Sequence, residues 1–188
     1  MAGADLMALP DGAIDDVASR VGASLRGEHD GTGLRIGIAC AIFNGGISLR
    51  LLNGALDALV EAGTERIDVT VAWAPGAFEL PLVARAFASA GTVDAVLCFG
   101  AVVRGETGHY EFVAGECASG IQQVQLSTGV PVIFGVLTTE TLEQALARSE
   151  PGSEENKGRE AAVTGIEMVR LLRSGPLPGS CDTPFVPF

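Results

Sequence analysis

Residues 95–103 read AVLCFGAVV, nine residues without a polar side chain, and the next six are Arg, Gly, Glu, Thr, Gly and His. A run of that length, with no polar alternation and a sharp end, describes a strand buried on both faces. Such strands belong to the middle of parallel sheets, whose crossover helices cover both sides. The rest of the chain has to supply those helices and neighbouring strands, and its periodicity does.

Leu34, Ile36, Ile38 and Cys40 recur at period two, so LRIGIACAI reads as a strand. Asn44 then precedes Ile47, Leu51, Ala55 and Leu59 at spacing four, with Gly63 beyond. This predicts a helix with Asn44 as N-cap and a glycine stop. RIDVTVAW alternates apolar and polar residues, as an edge strand with one wetter face would. APGAFELPLVARAFASAG predicts a helix after a Pro-Gly turn. Val113, Cys117, Ile121 and Val124 mark another helix, and VPVIFGVL a fourth strand. Thr138 or Thr139 is expected to cap a short helix carrying Leu142, Ala145 and Leu146, with Glu140 in its first turn. Ala162, Ile166, Val169 and Leu172 mark a last helix.

This alternation predicts an α/β fold: a flavodoxin-like three-layer sandwich with a four-stranded parallel sheet and helices on both faces. VPVIFGVL is apolar on both faces although it comes last. Its cover is a helix or another subunit, and the second is favoured here because bare apolar edges associate. Residues 1–33 form an N-terminal extension, with a short helix around Ile14–Leu25 and His29 as a solvated loop residue. Residues 34–173 form the domain. Residues 174–188 form a tail with four prolines, unsuited to a helix interior. It is either loose or held to the body by Phe185 and Phe188.

The net charge of −11 argues against nucleic acid and anionic membranes as partners, since both select basic surfaces. No apolar run approaches the roughly 20 residues that span a bilayer. The acidic N-terminus lacks the features of a secretory signal. Four widely spaced cysteines show no metal-binding spacing. Cys40, Cys98 and Cys117 read as small buried hydrophobes, and a reducing, cytoplasmic setting is expected.

Open parallel sheets bind ligands beyond the carboxyl ends of their strands. Phe43 and Asn44 follow the first strand, Pro75 to Glu79 the second, Arg104 to His109 the third, and Thr138 and Thr139 the fourth. The turn Gly105-Glu106-Thr107-Gly108 opens a helix. It offers backbone N–H groups and a positive helix end, an arrangement suited to phosphate. It is neither a Walker A loop nor GxGxxG.

His109 is one of two histidines. Four residues before Val113, it shares the core-facing side of its helix, one turn nearer the rim. It is either a helix-start histidine bonded to a neighbour or a general acid/base, imidazole being the side chain that changes charge near neutral pH. Phe43 is either core packing or a surface on which a flat ligand stacks. Glu79 is either solvated or bonded to a polyol. Arg148 and Lys157 bracket a charged loop, and pattern alone assigns them no role.

Taken together, FN with the following I…LLNGALDAL, then WAPGAFELP, GAVVRGETGHYEFV, GVPVIFGVLTTETLEQALAR and NKGREAA resemble the lumazine synthase family of riboflavin biosynthesis, from about Leu34 to Leu172. The resemblance implies condensation of 5-amino-6-(D-ribitylamino)uracil with 3,4-dihydroxy-2-butanone 4-phosphate, without cofactor or metal. It assigns Phe43 to stacking on the pyrimidine, and Ala77, Phe78 and Glu79 to the ribityl chain. Ala101, Val102 and Val103 read the uracil edge through their backbone. Glu106 and Thr107 cradle phosphate, and His109 transfers protons. Phe134 and Arg148 come from the neighbouring subunit, the arginine reaching the phosphate, with Lys157 near the same site.

The resemblance also implies a pentamer-based homo-oligomer. Ile42 stands where the family often has Arg. The loop from Arg148 to Asn156 is one residue longer than in cage-forming members, which favours a pentamer or decamer over a shell. Two alternatives share the fold: an archaeal-type riboflavin synthase, which would make riboflavin from lumazine alone, and a non-catalytic flavin-binding or shell-forming homologue, expected to lack His109 or Arg148.

Overall fold

A computed structural model describes residues 9–175. The elements in chain order are α1 (Ala13–Ala18), β1 (Ile36–Ala41), α2 (Gly45–Glu61), β2 (Val69–Ala74), α3 (Leu80–Ser89), β3 (Ala95–Val103), α4 (His109–Thr128), β4 (Val132–Thr139), α5 (Leu142–Ala147) and α6 (Lys157–Arg173). All strand pairs are parallel, in the order β2-β1-β3-β4. Ile36 lies between Val69 and Ala95, and β3 runs alongside β4 from Val96↔Val132 to Val103↔Thr139.

The sheet has a core on each face because its central strands alternate between them. Ile36, Ile38 and Cys40 of β1 join Leu97 and Phe99 of β3 under α2 and α6. Ala39, Ala41, Val96 and Cys98 face the other way, against Leu80 and Ala84 of α3 and Cys117 and Ile121 of α4. Phe99 is fully buried, and its ring lies where a side chain on Gly135 would begin: a Cβ there would come within 2.6 Å of it. That close approach is why β4 carries glycine opposite the largest core residue.

Several expectations need correction. Both faces of β4 are covered within the chain, Val132 and Val136 on the α3/α4 side and Leu137 on the α6 side. The favoured covering subunit is therefore not needed to explain its apolar character; only Phe134 stays 41% exposed. The predicted Ile14–Leu25 helix is confined to α1 and ends at Ser19. His29 is exposed, yet it bonds to Glu167 Oε1 at 2.5 Å. Arg66–Asp68 form a single 3-10 turn instead of the start of the alternating strand. Thr138 and Thr139 stay paired in β4, so the cap of α5 is Thr141, which accepts from Gln144 N, and the first-turn acid is Glu143. Phe185, Phe188, Cys181 and nearly all of the proline-rich tail lie outside the described residues.

Cys40, Cys98 and Cys117 are buried free thiols. Burial pushes the Cys40 thiol up to about 11 and the Cys117 thiol up to about 12, and raises Cys98 further still. Thiolate is the reactive form. Peptide mapping after brief alkylation of native protein at pH 8 is therefore expected to find these three unmodified, with labelling only after denaturation. Rapid native labelling at Cys98 would contradict this packing. Among the described residues, no helix is long and apolar enough to cross a membrane.

Candidate functional site

Strand order decides where the site falls. From β1 the chain goes to β2 on one side, while β3 and β4 lie on the other, so the loops beyond β1 and β3 diverge and leave a crevice. A hollow of about 440 Å³ opens there. Phe43 and Asn44 wall it from the end of β1, Gly76 to Glu79 from the end of β2, and Ala101 to Val103 from the end of β3. Gly105, Thr107, His109 and Tyr110 close its far side. A larger hollow, about 820 Å³, is walled by residues 9–29, the extension folded on itself and not the strand ends. The smaller one holds the reactive side chains.

Phe43 is 71% exposed, which rules out core packing. Its backbone is fixed by its N–H donating to Pro75 O at 3.0 Å, which links the ends of β1 and β2. A Cβ on Gly76 would lie 3.2 Å from Glu79 Oε2 and 4.0 Å from Phe43 Cβ. The Glu79 carboxylate and the base of the Phe43 side chain thus approach the same glycine. Asn44 has φ 56°, the one non-glycine with positive φ among the described residues. The predicted cap bond is not made. Instead Asn44 Nδ2 donates to Ala101 O at 2.8 Å. The β1–β3 ladder ends at Cys40↔Phe99, so this amide takes over where main-chain pairing stops.

His109 is the first residue of α4, behind the Gly105–Gly108 turn, and is exposed toward the hollow. Gly108 supplies no side-chain cap, so the first N–H groups of α4 have no capping partner from it. Glu106 in the same turn does not line the hollow, whereas Gly105 and Thr107 do. Arg104, the nearest cation, is already engaged. It pairs with Glu111 and, at 2.6 Å, with Glu140, and it lies 4.2 Å over the Tyr110 ring. Its bond holds the Glu111 carboxyl below the usual carboxylate range. No lysine or arginine lines the hollow.

Phe134, Arg148 and Lys157 are not brought to this crevice. They meet in a second hollow of about 440 Å³ beside the exposed edge of β4. There Lys157 N donates to Arg148 O at 2.9 Å, which closes the loop between them. Arg148 Nη1 folds back on Gln144 O at 3.1 Å, and Lys157 Nζ pairs with Glu160 at 2.5 Å. Tyr110, one residue beyond the rim stretch ending at His109, also lines the hollow, and Asn44, expected on the rim and as a helix cap, is on the rim but does not cap.

A doubly wound parallel sheet with an aromatic, a carboxylate, an imidazole and an open helix end around its switch point defines a flavodoxin-like α/β protein with a small-molecule site. Residues 33–173, well over half of the chain, match the model of the 6,7-dimethyl-8-ribityllumazine synthase family. The chain belongs to that family, which serves riboflavin biosynthesis.

Proposed function

We propose that residues 34–173 are a catalytic domain that condenses 5-amino-6-(D-ribitylamino)uracil with 3,4-dihydroxy-2-butanone 4-phosphate, releasing phosphate and water and yielding 6,7-dimethyl-8-ribityllumazine. The observation that carries it is a split site. One hollow has the ring, the carboxylate, the imidazole and the phosphate-ready turn but no free cation; the other has Arg148 and Lys157. A phosphate entering the first meets backbone N–H groups, Thr107 and His109 but no arginine or lysine, and Arg104 beside the turn is already paired with two carboxylates. A neighbouring copy presenting its β4 edge would complete the charge balance. A ring of copies, a pentamer in this reading, repeats that contact without leaving an edge unused.

Each residue then has work suited to its type. Phe43 stacks on the pyrimidine, and backbone at Ala101 to Val103 reads its edge. Ala77, Phe78 and Glu79 hold the ribityl chain, Glu79 accepting from its hydroxyls. Phosphate sits on the turn at Glu106 and Thr107, and the neighbour supplies Phe134 to the site. Arg148 grips it in a fork and helps it leave, with Lys157 alongside. Imine formation, phosphate elimination and ring closure each move protons and require no protein nucleophile. His109 relays them. Most of the acceleration comes from holding two reactants together.

The test is steady-state kinetics with both substrates. His109→Ala is expected to lower kcat by about 10²- to 10⁴-fold. Arg148→Ala is expected to raise the KM for the butanone phosphate and leave that for the uracil unchanged. Unaltered turnover in the first variant, or a defect confined to the uracil in the second, would remove these roles. Riboflavin formed from lumazine alone would replace the proposed reaction with a dismutation.

A further inference from the structure

We propose that Asn156 is a positioning residue that sets the placing of Arg148 and Lys157, the cations offered to the phosphate; this rests on the function proposed above. Asn156 is 1% exposed, and its side-chain amide uses its full hydrogen-bonding capacity. Oδ1 accepts from Gly158 N at 2.8 Å and Arg159 N at 3.4 Å, capping α6. Nδ2 donates to Glu150 O at 3.0 Å and Arg50 O at 3.4 Å. One planar group therefore joins the start of α6, the loop two residues after Arg148, and the body of α2.

Its neighbours in sequence and space are arranged to let it in. A Cβ on Gly54 would lie 2.5 Å from Asn156 Oδ1, so glycine at that point of α2 leaves the slot open. Asn156 N donates to Ser153 O at 3.1 Å, and Ser149 Oγ, buried, donates to Ala145 O at 2.9 Å, so both ends of the loop are fixed. Arg148 is exposed and Lys157 half-buried, and each side chain bonds only locally in sequence, Arg148 to Gln144 O and Lys157 to Glu160, so their mutual placing depends on how α5, the loop and α6 are held together. The rigid element between them is Asn156. Glu150 O also accepts from Ser153 N at 3.3 Å and Arg50 O lies within α2, so losing the Asn156 donors orphans no carbonyl; it removes the bridge that ties the loop to α2, whereas capping of α6 needs only its oxygen.

The experiment compares Asn156→Ser, which keeps a cap acceptor and loses both donors, with Gly54→Ala, which displaces the amide without changing it. Arg148→Ala is measured alongside. Both variants are expected to raise the KM for 3,4-dihydroxy-2-butanone 4-phosphate by about tenfold or more, with the uracil KM within about twofold of the parent. A phosphate KM left unchanged in both, or both KM values rising together, overturns the positioning role. If both variants fail to assemble, Asn156 serves folding alone and the proposal also falls. If Arg148→Ala raises the phosphate KM while the other two do not, only the Asn156 proposal fails. If Arg148→Ala leaves that KM unchanged, the phosphate grip itself is misassigned.

Discussion

Co-expression of His109→Ala and Arg148→Ala chains, assayed at limiting butanone phosphate, is expected to give far more activity than either variant shows alone. The two residues line separate hollows of one chain, at the β1–β3 crevice and at the open edge of β4. If each working site takes its imidazole from one copy and its guanidinium from the next, a mixed ring contains sites in which both are intact. With equal, random incorporation and one neighbour per site, about one site in four is whole, so activity should return to about a quarter of the parent's. Activity that stays at the average of the two variants would mean that both residues act within one chain, or that one of them does not act. The measurement needs no knowledge of ring size, because every site consults a single neighbour.

Gly158→Ala is expected to be among the most damaging single methyls added to the fold. A Cβ there would lie 1.9 Å from Leu51 O and within 2.7 Å of Leu51 Cα. These are backbone atoms in α2, so no side-chain rotation relieves the overlap; α6 has to lift away. That contact belongs to the most extensive helix–helix interface in the chain, where Ala161, Ala162 and Ile166 pack on Leu51, Ala55 and Ala58. Forced overpacking of this kind costs about 3 kcal/mol. At a fixed protein concentration it should lower the melting temperature by roughly 10 °C in a chain of this size. A melting temperature within about 2 °C of the parent's would show that α6 is not seated on α2 as described. The change also sits next to Lys157, so the loss of stability should be accompanied by weaker use of the phosphate substrate.

Much of the architecture was legible in the sequence because burial has a local period. AVLCFGAVV could only be a central strand, and it is: Ala95 to Val102 are all buried between two layers of helices. The residues waiting after each strand, Phe43, Glu79 and His109 among them, could be named in advance because a parallel sheet delivers every loop of that kind to one rim. The exceptions have physical causes. Asn44 was expected to cap its own helix, but a carbonyl left over at the end of the β1–β3 ladder is nearer and takes its amide. Thr139 was expected to cap α5, but main-chain pairing with Val103 holds it in the sheet.

The sequence alone determined the strands, the helices, and the set of chemically able side chains on the rim. These follow from residue type and short-range spacing. Only the tertiary structure decided which strand lies beside which, and hence that Phe43 faces Ala101 to Val103, that Arg104 is consumed by Glu111 and Glu140, and that Arg148 lies at the far edge. Apart from the Arg104–Glu111 pair, seven positions apart, those outcomes depend on contacts between residues tens of positions apart, where the winner is set by packing of whole layers and by which charges meet first, neither of which leaves a period in the chain.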